Sequence, residues 1–153
     1  QEQKDVWMIE KNNDYLAYIE KMDDSEILPD VPKILTLLKE NAIPIALGSA
    51  SKNALPILEK VCLDHFFDVI VDGNNVTKAK PDPEVFLMAA KKMNLSPSNC
   101  IVFEDAVAGI EAANAANMIS IGIGDKKVLS QANYIFKDFT EISIDFMKKL
   151  INN

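Results

Sequence analysis

At 153 residues, with 48% hydrophobic and 25% charged side chains, the chain is long enough for one domain with a real core and is not composed like a disordered one. Against 23 Asp and Glu stand 16 Lys and Arg, a formal charge of −7. That balance argues against a nucleic-acid partner, and any phosphate site must be built locally from a few lysines and backbone N–H groups.

No apolar run approaches the length of a bilayer, so no membrane partner is expected. The opening Gln1-Glu2-Gln3-Lys4-Asp5 is polar and mixed in charge, unlike a signal peptide. Cys62 and Cys100 both stand in apolar settings and read as buried free thiols, which points to a reducing cytoplasm. The first residue is not Met, so the chain is expected to begin inside a longer protein.

Val6 to Met22 has the three-to-four spacing of a helix, with Lys11-Asn12-Asn13-Asp14-Tyr15 as a polar patch that reads as a solvated face. Asp23 to Asp30 has no periodicity, contains Pro29 and reads as a linker. Pro32 suits the first turn of a helix running to about Asn41.

Ile43 to Leu47 is a short apolar run that reads as a buried strand, with Pro44 tolerated only near its start. It leads into Gly48-Ser49-Ala50-Ser51-Lys52-Asn53 and then a helix. Small hydroxylated residues between a strand and a helix start suit an oxyanion pocket. The plainer alternative is capping by Ser51 or Asn53, which many helices show.

Phe66 to Val71 reads as a second strand, closed by the turn Asp72-Gly73-Asn74-Asn75. His65, between a helix and this strand, reads as structural. In Lys78-Ala79-Lys80-Pro81-Asp82-Pro83-Glu84, Asp82 suits an N-cap and Pro83 the first residue of a helix over Val85 to Leu95. Lys80 stands just before that helix start, placed to neutralise a phosphate or to be an ordinary surface lysine.

Ile101-Val102-Phe103 then carries Glu104 and Asp105 to the end of a strand, and an Ala/Gly-rich helix follows to about Asn117. In a parallel sheet, ligands bind at the carboxyl ends of strands. Two adjacent acids there offer a hard-oxygen site suited to Mg²⁺. Taken alone, the pair slightly favours the plainer role of Asp105 as a cap and Glu104 as a solvated strand end. Ile119 to Ile123 alternates as a fourth strand, Val128 to Ala132 reads as a short helical turn, and Tyr134 to Phe136 as an edge strand. Ile142 to Ile151 closes the chain as a helix. Strand and helix alternate throughout, which predicts an α/β fold with a mostly parallel sheet and helices on both faces.

Three motifs now stand in order: Ser49 after a strand, Lys80 before a Pro-Asp-Pro helix start, and Glu104-Asp105 after a strand. Together they resemble the haloacid dehalogenase superfamily of phosphotransferases. The fuller stretches Leu47 to Asn53, Lys78 to Phe86 and Phe103 to Ile110 are similar to its β-phosphoglucomutase branch. The family's opening motif, Asp-x-Asp-Gly, does not occur in these 153 residues; Asp72-Gly73 has Ile70 rather than Asp two positions before Asp72. In the family that motif supplies the aspartyl nucleophile and the acid/base.

The resemblance implies a Rossmann-like core over residues 25–153 that lacks its first, central strand, preceded at 1–24 by the last part of a helical cap domain and its return linker. Without that strand, the edges that end in Ser49 and Glu104 would flank a gap. It further implies that Glu104 and Asp105 hold Mg²⁺, that Ser49 and the Ala50 N–H bind the transferring phosphoryl group, and that Lys80 neutralises it. Ser51, Lys52 and Asn53 match a substrate-phosphate loop, and Lys11 a cap lysine that reaches the substrate. The implied reaction is interconversion of β-glucose 1-phosphate and glucose 6-phosphate through an aspartyl phosphate, by a protein monomeric when complete. The alternatives are a sugar-phosphate or phosphoglycolate phosphatase, or an inactive fragment whose partner is the absent N-terminal segment.

Overall fold

The computed structural model describes residues 15–152, so Lys11 lies outside the described residues. Helix α1 covers 15–20, and Asp24–Glu26 forms a short 3-10 turn capped by the Asp23 carboxylate, which accepts the Ser25 N–H. The remaining elements alternate: α2 (Val31–Glu40), β1 (Ala46–Gly48), α3 (Ala54–Lys60), β2 (Val69–Val71), α4 (Glu84–Lys92), β3 (Ile101–Glu104), α5 (Val107–Ala115), β4 (Ile119–Ile123), β5 (Tyr134–Phe136) and α6 (Ile144–Ile151).

Every strand pairing is parallel. β1 pairs with β2 from Ala46↔Val69 to Gly48↔Val71. A second sheet has the order β3-β4-β5, with Ile101↔Ile119 and Ile121↔Tyr134 opening its two registers. Parallel neighbours need a crossover: α3 supplies it between β1 and β2, α5 between β3 and β4, and the turns of residues 124–133 between β4 and β5, while α4 leads from one sheet to the other. The chain is therefore α/β with helices on both faces of parallel strands, as its alternation predicts.

The two faces are read most easily from β3. Val102 packs into a core with Val71 and with Val85, Phe86 and Ala89 of α4 and Ala112 and Ala113 of α5. Its neighbour Phe103 points the other way, onto a core of Ile34 from α2, Ile142 just before α6, and Met147 of α6. Central Ile121 has no exposed surface, and burying such a side chain contributes about 1.5–3 kcal/mol. The small side chains of α5 let that helix lie close on its strands.

Among the described residues, no strand pairs with the outer edge of β1 or of β3. The two sheets nonetheless lie under one helical layer: α4 packs on β1 and β2, α5 on β3 and β4, and α4 touches α5. At the far side of the second sheet, Ser120 is fully buried and knotted to Asn114 of α5 and to Asn133 by hydrogen bonds of 2.7–3.2 Å. That knot ties β4 to the segment that leads into β5.

Several boundaries move from their predicted places, each for a local reason. The first strand starts at Ala46 rather than Ile43, because Pro44 has no N–H and the Ile45 N–H goes to the Asp68 carboxylate at 2.9 Å. The second starts at Val69, because residues Asp64–Phe66 close a 3-10 turn in which Phe67 N–H donates to Asp64 C=O. Helix α4 spans Glu84–Lys92 rather than Val85 to Leu95, and Pro83 is its N-cap rather than its first residue, with the Asp82 carboxylate accepting the Glu84 N–H at 3.0 Å. Asn53 caps α3 by position, but its side chain makes no capping bond. Cys100 is buried as expected. Cys62 is exposed, because it follows α3 at a left-handed position, φ 56°, that turns the chain outward. Exposed His65 stacks on Phe66 with ring centroids 4.3 Å apart. No helix among the described residues is long and apolar enough to cross a membrane.

Candidate active site

The carboxyl ends of β1 and β3, Gly48 and Glu104, come together around one cation. Lys80 Nζ donates to the Gly48 carbonyl at 3.3 Å and to Glu104 Oε2 at 2.6 Å. It also lies 4.7 Å from the centroid of the Phe86 ring. The lysine and glutamate side chains are only 16% and 10% exposed. An ion pair this secluded has lost most of its water, so each partner depends on the other.

Neighbouring residues hold this pair in place. A Cβ on Gly109, in the first turn of α5, would overlap the Glu104 carboxylate, so a glycine is what lets that side chain fold back toward Lys80. Glu104 Oε1 also takes the Ala106 N–H at 3.3 Å. A Cβ on Gly48 would stand 3.0 Å from the Phe86 ring, so that glycine lets the ring slide under the lysine. The loop that presents Lys80 is clamped by Glu84, whose carboxylate takes the Thr77 N–H at 3.1 Å and the Lys78 N–H at 2.7 Å. Those backbone donors, Thr77's first, hold the Glu84 carboxyl below the usual carboxylate range. The Lys80–Pro81 peptide is cis.

The loop after β1 is folded on its own hydroxyls. Ser49 N–H extends the sheet to Val71 C=O at 2.9 Å. Ser49 Oγ accepts the Ser51 N–H, and Ser51 Oγ accepts the Asn53 N–H, both at 3.1 Å. With each hydroxyl oxygen receiving a donor, the hydroxyl protons are left to give to a ligand. The N–H groups of Ala50 and Lys52 meet no acceptor among the described residues. These donors sit in the loop itself, so the predicted pocket does not depend on the dipole of the seven-residue α3.

Asp105, the next residue, is exposed to solvent, with no hydrogen-bond partner among the described residues. The two carboxylates are hard-oxygen donors of the kind Mg²⁺ takes, and no three His, Cys, Asp or Glu side chains converge among the described residues. One or two carboxylates, with water and phosphate oxygens, is the usual Mg²⁺ set, so Glu104 and Asp105 fit that ion.

The structure thus joins Lys80 directly to Glu104, sets Ser49 next to the carbonyl that Lys80 holds, and gathers Ala50, Ser51, Lys52 and Asn53 on one loop. Sequence reasoning overlooked Gly109, Phe86 and Glu84. A glycine in the first turn of a helix runs against helix propensity, and that signal could have marked Gly109.

The sequence profile of haloacid dehalogenase-like hydrolases matches residues 1–117. A β-phosphoglucomutase of Bacillus subtilis is 34% identical over 145 residues, covering 95% of this chain and 64% of that protein. A phosphorylated carbohydrates phosphatase of Thermotoga maritima is 32% identical over 137 residues, covering 83% of this chain and 63% of that one. The crystal structure of a β-phosphoglucomutase from Clostridium difficile superposes with a TM-score of 0.91 at 40% identity, over 99% of this chain and 69% of that chain. The chain therefore spans just under two thirds of the two curated relatives.

Proposed function

Starting from the chain's membership of the haloacid dehalogenase-like hydrolase family, we propose that the intact protein is an Mg²⁺-dependent sugar-phosphate mutase that interconverts β-glucose 1-phosphate and glucose 6-phosphate. The observation that supports it best is the Lys80 ammonium held between the ends of β1 and β3, beside a loop of free hydroxyl and N–H donors. Phosphoryl transfer asks a protein chiefly for positioning and charge neutralisation, and this end of the molecule offers both.

In this reading Ser49 Oγ–H and the Ala50 N–H donate to oxygens of the transferring phosphoryl group. Lys80 shares its charge between that group and Glu104. Each well-aimed donor of this kind is worth about 3 kcal/mol of transition-state stabilisation. Ser51, Lys52 and Asn53 hold the other phosphate of the substrate, and Lys11 reaches it from the cap. Glu104 and Asp105 hold Mg²⁺, which when bound screens the charge of the phosphoryl oxygens. No Asp-x-Asp-Gly occurs in residues 1–153, so the aspartyl nucleophile of this proposal lies outside them. Residues 1–24 belong to the cap, and 25–153 to the core that the nucleophile's strand completes.

The test is to incubate the intact protein with β-glucose 1-phosphate and Mg²⁺, with and without glucose 1,6-bisphosphate. The expected result is glucose 6-phosphate, stimulated by the bisphosphate and abolished by a chelator. Stoichiometric release of free phosphate instead would replace the mutase by a phosphatase, the reading that similarity to the Thermotoga maritima phosphatase favours. No Mg²⁺-dependent turnover of any sugar phosphate would overturn both.

A further inference from the structure

The loop that carries Ser51 and Lys52 does not stand alone. The turn after β2 is pressed against it. Gly73 N–H donates to the Ser51 carbonyl at 3.1 Å. A Cβ on Gly73 would stand 2.5 Å from the Ala50 carbonyl oxygen and 3.2 Å from Lys52 Cγ, so only a glycine allows the two backbones to approach this closely. One residue on, the Asn74 carboxamide nitrogen divides its two protons between the Lys52 carbonyl at 2.9 Å and Asp72 Oδ2 at 3.1 Å. Asp72 is itself held, its carboxylate taking the Asn74 N–H at 2.8 Å and its own N–H going to Asn75 Oδ1 at 2.9 Å. The preceding residue, Val71, is fully buried. An anchored strand end is thus linked through one side chain to the backbone of Lys52.

The two parts of the β1 loop are held by different groups. Ser49 is fixed by the sheet through Val71 C=O, and Lys80 by Gly48 and Glu104. Neither depends on Asn74. Lys52 is exposed, and the Asn74 carboxamide is what ties its carbonyl to the neighbouring turn. We propose that Asn74 is a positioning residue for substrate specificity: by fixing the Lys52 backbone it aims the loop at the non-transferring phosphate of a sugar phosphate. This rests on the reading of Ser51, Lys52 and Asn53 as the substrate-phosphate loop.

Asn74 is exposed in a turn, so its replacement is not expected to unfold the chain. Asn74→Ala removes both bonds. Asn74→Asp keeps the shape but has no donor and sets a carboxylate against Asp72 and the Lys52 carbonyl. The experiment measures calorimetric binding of glucose 6-phosphate to the intact protein with Mg²⁺, then kcat and KM for β-glucose 1-phosphate and for p-nitrophenyl phosphate, which has no second anchoring group. Both variants are expected to bind glucose 6-phosphate at least tenfold more weakly. The rise falls in KM rather than kcat, and the preference for β-glucose 1-phosphate over p-nitrophenyl phosphate drops at least tenfold. Adding Asn74→Ala to Lys52→Ala is expected to cost little more than Lys52→Ala alone, because the bond to the Lys52 carbonyl acts on binding by aiming the Lys52 ammonium, which Lys52→Ala has already removed.

Wild-type affinity for glucose 6-phosphate in both variants overturns the inference while leaving the proposed function standing. So does an equal loss in kcat on both substrates, which is what a merely structural role would give. A wild-type protein that binds glucose 6-phosphate but turns over neither substrate overturns the proposed function, and the binding comparison still decides the role of Asn74. A wild-type protein that binds no glucose 6-phosphate overturns both.

Discussion

Glu104 and Asp105 are adjacent acids in very different surroundings, and substitutions should separate them. Asp105 is exposed, with no partner among the described residues. Asp105→Ala is therefore expected to leave stability within about 0.5 kcal/mol and to cut Mg²⁺-dependent turnover of the intact protein at least about a hundredfold. Glu104→Ala strands the Lys80 ammonium in a site where it is 16% exposed. Removing one member of a secluded pair costs about 3–5 kcal/mol, so this variant loses both stability and turnover. Parallel thermal melts and Mg²⁺ titrations check the pair, and equal melting temperatures would count against the secluded ion pair. The two acids at the end of an apolar run were legible in sequence. Their unequal burial was not, because it depends on the space that Gly109 leaves one element later.

The loop from Thr77 to Lys80 depends on the first residue of α4. Glu84 accepts from Thr77 and Lys78, and those bonds lower its pKa in the folded state. A lowered carboxyl pKa stabilises the fold above the unfolded value, about 4.3 for Glu, and that contribution is lost as pH falls through the folded value. Glu84→Gln is thus expected to melt below wild type at neutral pH, with the gap closing in acid. A gap that stays constant down to pH 3 would show that charge at this position is irrelevant. Element existence was largely legible: β4 and β5 fall where alternation and the short apolar run put them, because both lie in chain bounded by Gly and polar turns. The starts of β1 and β2 were not, since Asp68 caps Ile45 from 23 residues away, a contact that local pattern does not contain.

At the scale of the whole molecule, the two sheets have unpaired edges at β1 and β3 beneath a shared helical layer. Unpaired edges exchange their amide hydrogens readily and invite a further strand. If a strand from outside residues 1–153 lies between them, those amides of Ala46–Gly48 and Ile101–Glu104 that face away from β2 and β4 will be strongly protected in the intact protein and weakly in the 153-residue chain. Hydrogen exchange read by mass spectrometry compares the two, and equal protection would remove the strand from the proposal. The gap itself was legible only through the family's missing first motif; the local pattern of each strand says nothing about its neighbours. The Lys80 clasp has a consequence for the order of folding. Its ammonium needs an acceptor from each sheet, so neither half can mature the site while the other is unformed. On the proposed function, the phosphate pocket is complete only when both sheets are in place, so a half-assembled molecule lacks it.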